Sequence, residues 1–311
     1  PTITINSTTS GVTDGSTTND SSISMVFVTS EATSNFAASD ISVSGGDLSS
    51  FNAAGPTVYT ATFTPTDDGA TTIDVASGAF TDAAGNNNTA ADQFNWTYDG
   101  TSPTAAITYA GAGGSPYKQG DTVTITATFD EAVATTPKIA ITGSGIADVA
   151  ATDMSVGNTT LIWTYTYAVP AGDGTGTISL SVGTDASGNP ITSAPTSGDE
   201  FTVDNTAPTL EAVTQVSTPS NDTTPSYVFT TNEAGTITSN LAFDTTTSAT
   251  AGDDLTITFE ALGAGTYTGK TVTVTDTAGN AGSITMADFV IDTTAPTITS
   301  ISSDLADGTY T

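Results

Sequence analysis

The chain has 311 residues, and its 33 acidic residues outnumber three basic ones, which gives a formal net charge of −30 at pH 7. A surface this poor in cations cannot neutralise phosphates, which argues against nucleic acid and anionic membranes as partners. Cysteine and histidine are both missing, which excludes disulfides, zinc sites of the Cys/His kind and Ser-His-Asp triads. At roughly 100–200 residues per domain, the length allows two or three cores.

Apolar residues alternate with threonine and serine in many short segments, and this period of two predicts β-strands with one buried face. In chain order, the clearest segments are 23–29, 123–129, 161–167, 255–259 and 272–274. Gly, Asn, Asp and Pro clusters separate them, and no segment has a convincing helical period. Roughly seven short strands per 100 residues are typical of two-sheet sandwiches.

Four short motifs recur three times in the same order and divide the chain into repeats. They are an acidic residue before an apolar strand (Asp20, Asp121, Asp222), an acidic residue after it (Glu31, Glu131, Glu233), an Asp-x-x-Gly-Asn loop (82–86, 185–189, 276–280) and a linker from Asp to Pro (99–103, 204–208, 292–296). The repeats predict an all-β fold, with tandem Ig-like β-sandwiches in an elongated array. The predicted domains are residues 1–102, 103–207 and 208–295, and residues 296–311 are the first strand of a fourth, truncated repeat or a donated strand.

The first repeat carries the clearest family resemblance. Its segments 39–46 (SDISVSGG), 59–65 (YTATFTP) and 78–86 (GAFTDAAGN) resemble the bacterial Ig-like repeats of large surface adhesins. The later repeats match through the Asp-x-x-Gly-Asn loop and the linker. The resemblance implies extracellular extender modules that hold a distant binding domain away from the cell, where a carbohydrate or another cell-surface ligand would be bound. It also implies junctions stiffened by calcium.

Topology gives the acidic residues a position at the domain ends. In an Ig-like sandwich, the turn after the second strand and the loop before the last strand lie at the pole where the chain enters. The candidate ligands at the first junction are Asp20, Asp67, Asp68, Asp99, Glu131, Asp185 and Asn189. Those at the second are Asp121, Asp173, Asp204, Glu233, Asp276 and Asn280, and Asp222 and Asp292 complete the set. Calcium prefers such oxygen ligands, about six to eight of them, so we expect Ca²⁺ at the junctions.

Each acidic residue taken alone could equally be a solvated turn residue that caps backbone N–H groups. A Lys–Asn isopeptide bond is another possible stiffener, with Lys118 as its best candidate, although an exposed lysine is the simpler interpretation. An enzyme is not predicted, because no acidic residue lies inside an apolar segment that would raise its pKa.

Two other functions stay open at this point. A filament protomer polymerised by strand donation would pair residues 297–311 with another chain. A carbohydrate- or protein-binding module would expose aromatic side chains, whereas Trp96, Trp163 and Tyr165 lie in alternating segments that predict core packing.

Overall fold

The computed structural model describes residues 1–111, 113–243 and 247–302. These residues form tandem Ig-like β-sandwiches, and a short 3-10 helix, Ala38–Asp40, is the one helical element among them. The first two sandwiches belong to one compact unit. The third sandwich forms the other unit together with the segments Gly113–Gly120 and Pro170–Asp173.

The first sandwich has two four-stranded sheets. Its strands are β1 (Ile3–Ser7), β2 (Ser16–Thr18), β3 (Ile23–Thr29), β4 (Ser42–Ser44), β5 (Gly46–Ala53), β6 (Val58–Pro65), β7 (Gly69–Asp74) and β8 (Phe94–Tyr98). One sheet has the order β1-β3-β6-β5 and the other β2-β8-β7-β4. The chain changes sheets after β1, which pairs antiparallel with β3, whereas β2 pairs parallel with β8.

The second sandwich also has two four-stranded sheets, but it has no strand in the place of β2 and has an extra edge strand, β12. Its strands are β9 (Ala105–Ala110), β10 (Thr122–Phe129), β11 (Lys138–Ser144), β12 (Val149–Asp153), β13 (Ser155–Val156), β14 (Ile162–Ala168), β15 (Gly174–Ser181) and β16 (Glu200–Val203). The sheet orders are β13-β14-β10-β9 and β12-β11-β15-β16. Along β10 the apolar side chains are buried and the threonines face outward, as the alternation predicted.

The third sandwich has shorter strands. They are β17 (Leu210–Thr214), β18 (Ser226–Thr231), β19 (Gly235–Ser239), β20 (Ser248–Ala249), β21 (Leu255–Thr258), β22 (Gly265–Tyr267), β23 (Thr271–Thr275), β24 (Ala281–Thr285) and β25 (Phe289–Ile291). They form the sheets β17-β18-β21, β20-β19-β23-β24 and β22-β25. All five segments singled out for their alternation coincide with strands, except that Leu161 lies just before β14 and Phe259 just after β21. The predicted all-β fold of Ig-like β-sandwiches is therefore confirmed.

Aromatic side chains fill the cores rather than the surface. Trp96 and Trp163 are buried and Tyr165 is half-buried, as their alternating segments predicted. The large hydrophobic side chains that are exposed within the described residues are all aliphatic. This part of the chain therefore lacks the exposed aromatic cluster that a sugar-binding platform would need.

Residues 296–302 form no strand, and Ile298 and Ile301 are 82% and 89% exposed. A single strand needs a partner for its backbone groups, and these residues pair with no described strand. Residues 303–311 of the predicted fourth repeat lie outside the described residues.

Candidate metal centre

The linker aspartates fold their own segments into local turns. In each repeat, the Asp Oδ1 atom accepts a hydrogen bond from the backbone N–H two residues later, which is an Asx-turn. The donors are Thr101 to Asp99 at 3.4 Å, Thr206 to Asp204 at 3.0 Å and Thr294 to Asp292 at 2.9 Å. This turn leaves the second carboxylate oxygen of the linker residue available for other contacts.

The Asp-x-x-Gly-Asn loop is also closed by its own aspartate. Asp185 Oδ1 accepts the N–H groups of Gly188 and Asn189 at 2.7 and 2.8 Å. Its Oδ2 atom accepts the side-chain amide of Asn189 at 2.9 Å. Both Asp185 and Asn189 are only 5% exposed. The loop therefore has the structural role that the turn interpretation assigned to it, whether or not a metal binds.

In the second and third sandwiches, an asparagine side chain joins the Asp-x-x-Gly-Asn loop to the linker that precedes the sandwich. Asn189 Nδ2 donates to the backbone carbonyl of Asp99 at 2.8 Å, and Asn280 Nδ2 donates to that of Asp204 at 2.9 Å. Ser187 Oγ adds a bond to the Asp99 carboxylate at 2.7 Å. The amide nitrogen of each asparagine thus positions the loop against the linker.

Two groups of three carboxylates lie around these loops and linkers. One consists of Asp99, Glu131 and Asp185, and the other of Asp204, Glu233 and Asp276. Within each group, one oxygen from every residue lies within 4.8 Å of the others. In both cases the members are the linker acid, the acid after the second main strand and the loop acid, in agreement with the spacing of the sequence motifs.

Glu131 has a pKa above its ordinary value. Partial burial is the largest cause, followed by the negative charges of Asp99 and Asp185 and then by those of Asp130 and Asp68. The pKa of Glu233 is raised in the same way by burial, and then by Asp204 and Asp276. Each glutamate is therefore held beside like charges that disfavour its ionised form.

Asp68 and Asp173 are close to the groups without belonging to them. Asp68 accepts bonds from the Gly100 N–H at 2.7 Å and from the Thr101 hydroxyl. Hydrogen bonds from these two residues lower the pKa of Asp68, and Asn205 and Thr206 lower that of Asp173 in the same way. Both acids therefore hold the linker by capping its backbone.

The remaining candidates lie outside both groups. Asp20 accepts the Thr18 hydroxyl at 2.6 Å, and Asp222 accepts the Thr224 N–H at 2.9 Å. Asp67 is exposed, and Asp121 receives the N–H of Val169 on its backbone carbonyl. Asp292 closes the Asx-turn described above. The topology argument placed all of these acids at the domain ends, but it could not say which of them turn toward a common point.

The donor chemistry of the two groups fits calcium. Three carboxylates offer three to six oxygens, and backbone carbonyls or water could complete a shell of about six to eight. Without a cation, neighbouring carboxylates repel each other by roughly 1 kcal/mol per pair at 4 Å even in water. No soft or nitrogen ligand is available in either group, which argues against zinc.

Sequence reasoning missed three residues near these groups. Asp130 directly precedes Glu131 and accepts the Thr104 N–H at 2.8 Å, and Ser187 bonds to the linker as described. Lys118, expected to be exposed, is half-buried and donates to the backbone carbonyl of Gly279 at 2.6 Å. A Lys–Asn isopeptide bond would need an asparagine side chain at this contact, whereas the acceptor is a backbone carbonyl. Asp130 could have been identified from its position directly before the repeated glutamate. Ser30 and Asn232 occupy this position in the other two repeats.

Several solved structures resemble this chain at low sequence identity. The I-band fragment I67-I69 from titin has a TM-score of 0.33 and 7% identity, and the match covers 89% of this chain and 93% of that chain. Invasin, a bacterial integrin-binding protein, has a TM-score of 0.28 and 15% identity over 92% of this chain and 60% of that chain. The BSP domain of a biofilm associated protein has a TM-score of 0.26 and 11% identity, with 95% and 67% covered.

No curated protein matches the chain significantly. Among the described residues, no helix has the length and apolar character needed to cross a membrane. A family described as bacterial Ig-like domain matches residues 1–98, which hold all eight strands of the first sandwich. The resemblance indicated by the sequence is therefore confirmed, with residues 1–98 matching the bacterial Ig-like domain family.

Proposed function

We propose that this chain is a structural extender segment of a microbial cell-surface adhesin or filament, located outside the cell, with calcium stiffening the junctions between its sandwiches. The match of residues 1–98 to a bacterial Ig-like domain supports the extender part of the proposal. The observation that carries the calcium part is the group formed by Asp99, Glu131 and Asp185, which Asp204, Glu233 and Asp276 repeat.

Linker residues make this arrangement suited to stiffening. Asp99 lies just after β8 of the first sandwich, whereas Glu131 and Asp185 belong to the second. A cation bound by all three would cross-link residues on both sides of the linker and remove hinge freedom. The stability of the array would then be the sum of the domain cores and of the junction contributions. The partners of such a segment are the neighbouring repeats or protomers of the same protein.

Small-angle scattering and limited proteolysis with and without a calcium chelator test this function. Chelation should increase bending and speed cleavage within Asp99–Pro103 and Asp204–Pro208. The double variant Glu131→Gln/Glu233→Gln should behave in calcium as the unmodified protein does in chelator. A matched control, Glu200→Gln/Glu260→Gln, changes two exposed glutamates outside both groups. Scattering curves and cleavage rates that do not respond to chelator would refute the calcium mechanism.

Metal identity needs a direct measurement. Anomalous scattering from crystals grown with calcium should show a peak within each carboxylate group, with oxygens at about 2.3–2.6 Å. Carboxylates that point into solvent, with no peak among them, would leave the extender role without its proposed stiffening.

The exposed segment 296–302 favours a second candidate function, a filament protomer joined by strand donation. Ile298 and Ile301 would become buried if a neighbouring molecule accepted this segment as a strand. Sedimentation velocity tests this candidate, because Ile298→Lys/Ile301→Lys should abolish concentration-dependent polymers. A protein that stays monomeric at all concentrations would exclude it.

A further inference from the structure

Lys118 makes a contact that the repeated motifs do not predict. Its side chain is half-buried, and its ammonium group donates to the backbone carbonyl of Gly279 at 2.6 Å. Gly279 is the fourth residue of the Asp276–Asn280 loop and has a φ of +87°, a conformation that favours glycine. The Gly279 N–H donates to the Asp276 carbonyl at 3.2 Å, so the turn fixes the direction in which the Gly279 carbonyl points.

The loop at residues 185–189 is held differently. Ser187 accepts the backbone N–H of Asn19 on its carbonyl at 3.2 Å and donates its hydroxyl to Asp99 at 2.7 Å. Ala278 occupies the place of Ser187 in the third sandwich and has no hydroxyl to donate. The loop at 276–280 therefore lacks the serine contact, and a lysine contact is found there instead.

The charge around the two loops differs as well. Asp130 is among the acids that raise the pKa of Glu131, whereas the residue before Glu233 is the neutral Asn232. Asn232 keeps the structural contact, since its Oδ1 atom accepts the Thr209 N–H at 2.6 Å. Glu233 thus has one fewer carboxylate near it than Glu131 has, although each group contains three. The loop that supplies Asp276 is bonded to the Lys118 ammonium group.

We propose that Lys118 is a positioning residue that holds the Asp276–Asn280 loop in place without a metal ion, by donating to the Gly279 carbonyl and supplying a resident positive charge beside the acidic loop. A charge-assisted hydrogen bond is stronger than a neutral one and suits a site where like charges would otherwise push the loop outward. This role does not depend on calcium and precedes any metal binding.

Hydrogen exchange of the loop amides in chelator tests the role directly. The N–H groups of Gly279 and Asn280 are bonded within the loop, so their exchange reports its opening. Lys118→Met should speed their exchange about tenfold, the effect expected for losing a hydrogen bond from a charged group. Lys118→Arg, which keeps a charged donor, should restore slow exchange to within about threefold of the unmodified protein.

Two controls separate positioning from general damage. Lys270→Met removes a positive charge at another position, directly before β23, and should leave the exchange rates of the Asp276–Asn280 loop unchanged. The amides of Gly188 and Asn189 in the loop at 185–189, and those of Tyr227 and Phe229 in β18, should keep their exchange rates in Lys118→Met. The proposal is overturned if Lys118→Met leaves the Gly279 and Asn280 rates unchanged, if Lys270→Met alters them equally, or if Lys118→Arg gives no rescue.

Adding saturating calcium distinguishes this role from the proposed function. If calcium binds the group containing Asp276, it should hold the loop itself, and the effect of Lys118→Met should shrink toward twofold or less. An effect of the same size with and without calcium would count against calcium at that group and leave the lysine role intact. No effect in either condition would overturn the lysine role.

Discussion

Asn189 and Asp99 are joined by a hydrogen bond from the asparagine side-chain amide to the aspartate backbone carbonyl, at 2.8 Å. Because the same amide also donates to Asp185 at 2.9 Å, one buried residue orients both a linker acid and a loop acid. The arrangement explains how two carboxylates of the first group are brought together by the polypeptide itself. The site therefore has its shape before any metal binds, and the proposed calcium ion would add only stiffness.

Replacement of Asn189 by alanine tests this relationship. Asn189→Ala removes the donor to the buried Asp185 carboxylate and to the half-buried Asp99 carbonyl. It should lower the free energy of unfolding of the second sandwich by about 2 kcal/mol. The matched control is Asn86→Ala in the first sandwich, where the exposed Asn86 amide has Asp82 as its one acceptor among the described residues, at 2.8 Å. Asn86→Ala should lower the free energy of unfolding of the first sandwich by less than about 0.5 kcal/mol. Peptide-resolved hydrogen exchange in urea measures each sandwich separately, and equal losses in both would contradict the role assigned to Asn189.

The pH dependence of stability provides a second prediction, for calcium-free protein. Glu131 has an ordinary pKa of 4.5, which burial and then Asp99 and Asp185 raise in the folded state. The folded state therefore binds a proton more tightly than the unfolded state, so this residue lowers the free energy of unfolding as pH rises through the window between the two pKa values. Below that window the penalty is absent, and above it the penalty is complete.

Glu131→Gln should therefore be more stable than the unmodified protein at pH 7 in chelator, and the difference should vanish once the pH falls below the unfolded pKa. We expect less than about 1 kcal/mol, because solvent screens a partly exposed side chain. Urea unfolding at several pH values measures the difference, with Glu200→Gln as a control for the change of charge. In calcium the sign should reverse, because the variant loses a ligand. A variant that is less stable in chelator at pH 7 would show that the glutamate charge is favourable there.

Strand positions were predictable from the sequence because successive side chains of a strand point to opposite faces of the sheet, so that apolar residues recur at every second position. The segment 23–29 alternates strictly, and β3 spans the same residues, Ile23–Thr29, with every second side chain facing the core. The repeated acids Asp99, Glu131 and Asp185 could also be assigned to one pole, since motif order fixes which loops share an end of the sandwich.

The rest of the site depends on side-chain directions that spacing does not encode. Asp68 and Asp20 both lie at the pole of the first sandwich where β8 ends, yet Asp68 turns to the linker and Asp20 to Thr18. The Lys118 contact was not predictable either, because the other repeats have no lysine at this place and a single residue gives no periodic signal. Residues 296–302 lack a strand because pairing needs a partner that the described chain does not offer them.

Two buried tyrosines give a third prediction. The hydroxyl group of Tyr227 is buried and has no hydrogen-bond partner among the described residues, and burial raises its pKa. The Tyr59 hydroxyl instead donates to the Thr33 carbonyl at 2.9 Å. Tyr227→Phe should leave the free energy of unfolding unchanged or raise it, whereas Tyr59→Phe should lower it by about 1 kcal/mol. Urea unfolding followed by hydrogen exchange measures both variants. If Tyr227→Phe lowers the free energy of unfolding as much as Tyr59→Phe does, a water molecule bridges the Tyr227 hydroxyl in the core of the third sandwich.

Val182 leads to the last prediction, since it is a β-branched residue with a φ of +74°. The Gly183 N–H donates to the Ser181 carbonyl at 3.0 Å, so Val182 is the central residue of a tight γ-turn just after β15. The side chain is 64% exposed and gains little from packing that could offset the strain. An L-residue in the left-handed region costs roughly 1–2 kcal/mol, and glycine avoids this cost but loses about 0.5–1 kcal/mol of chain entropy. Val182→Gly should therefore stabilise the second sandwich by about 0.5–1 kcal/mol, measured by urea unfolding.

Val156→Gly is the matched control, because Val156 is similarly exposed but lies in β13 without a positive φ, and it should destabilise the same sandwich. If Val182→Gly also destabilises, the turn is not strained in solution.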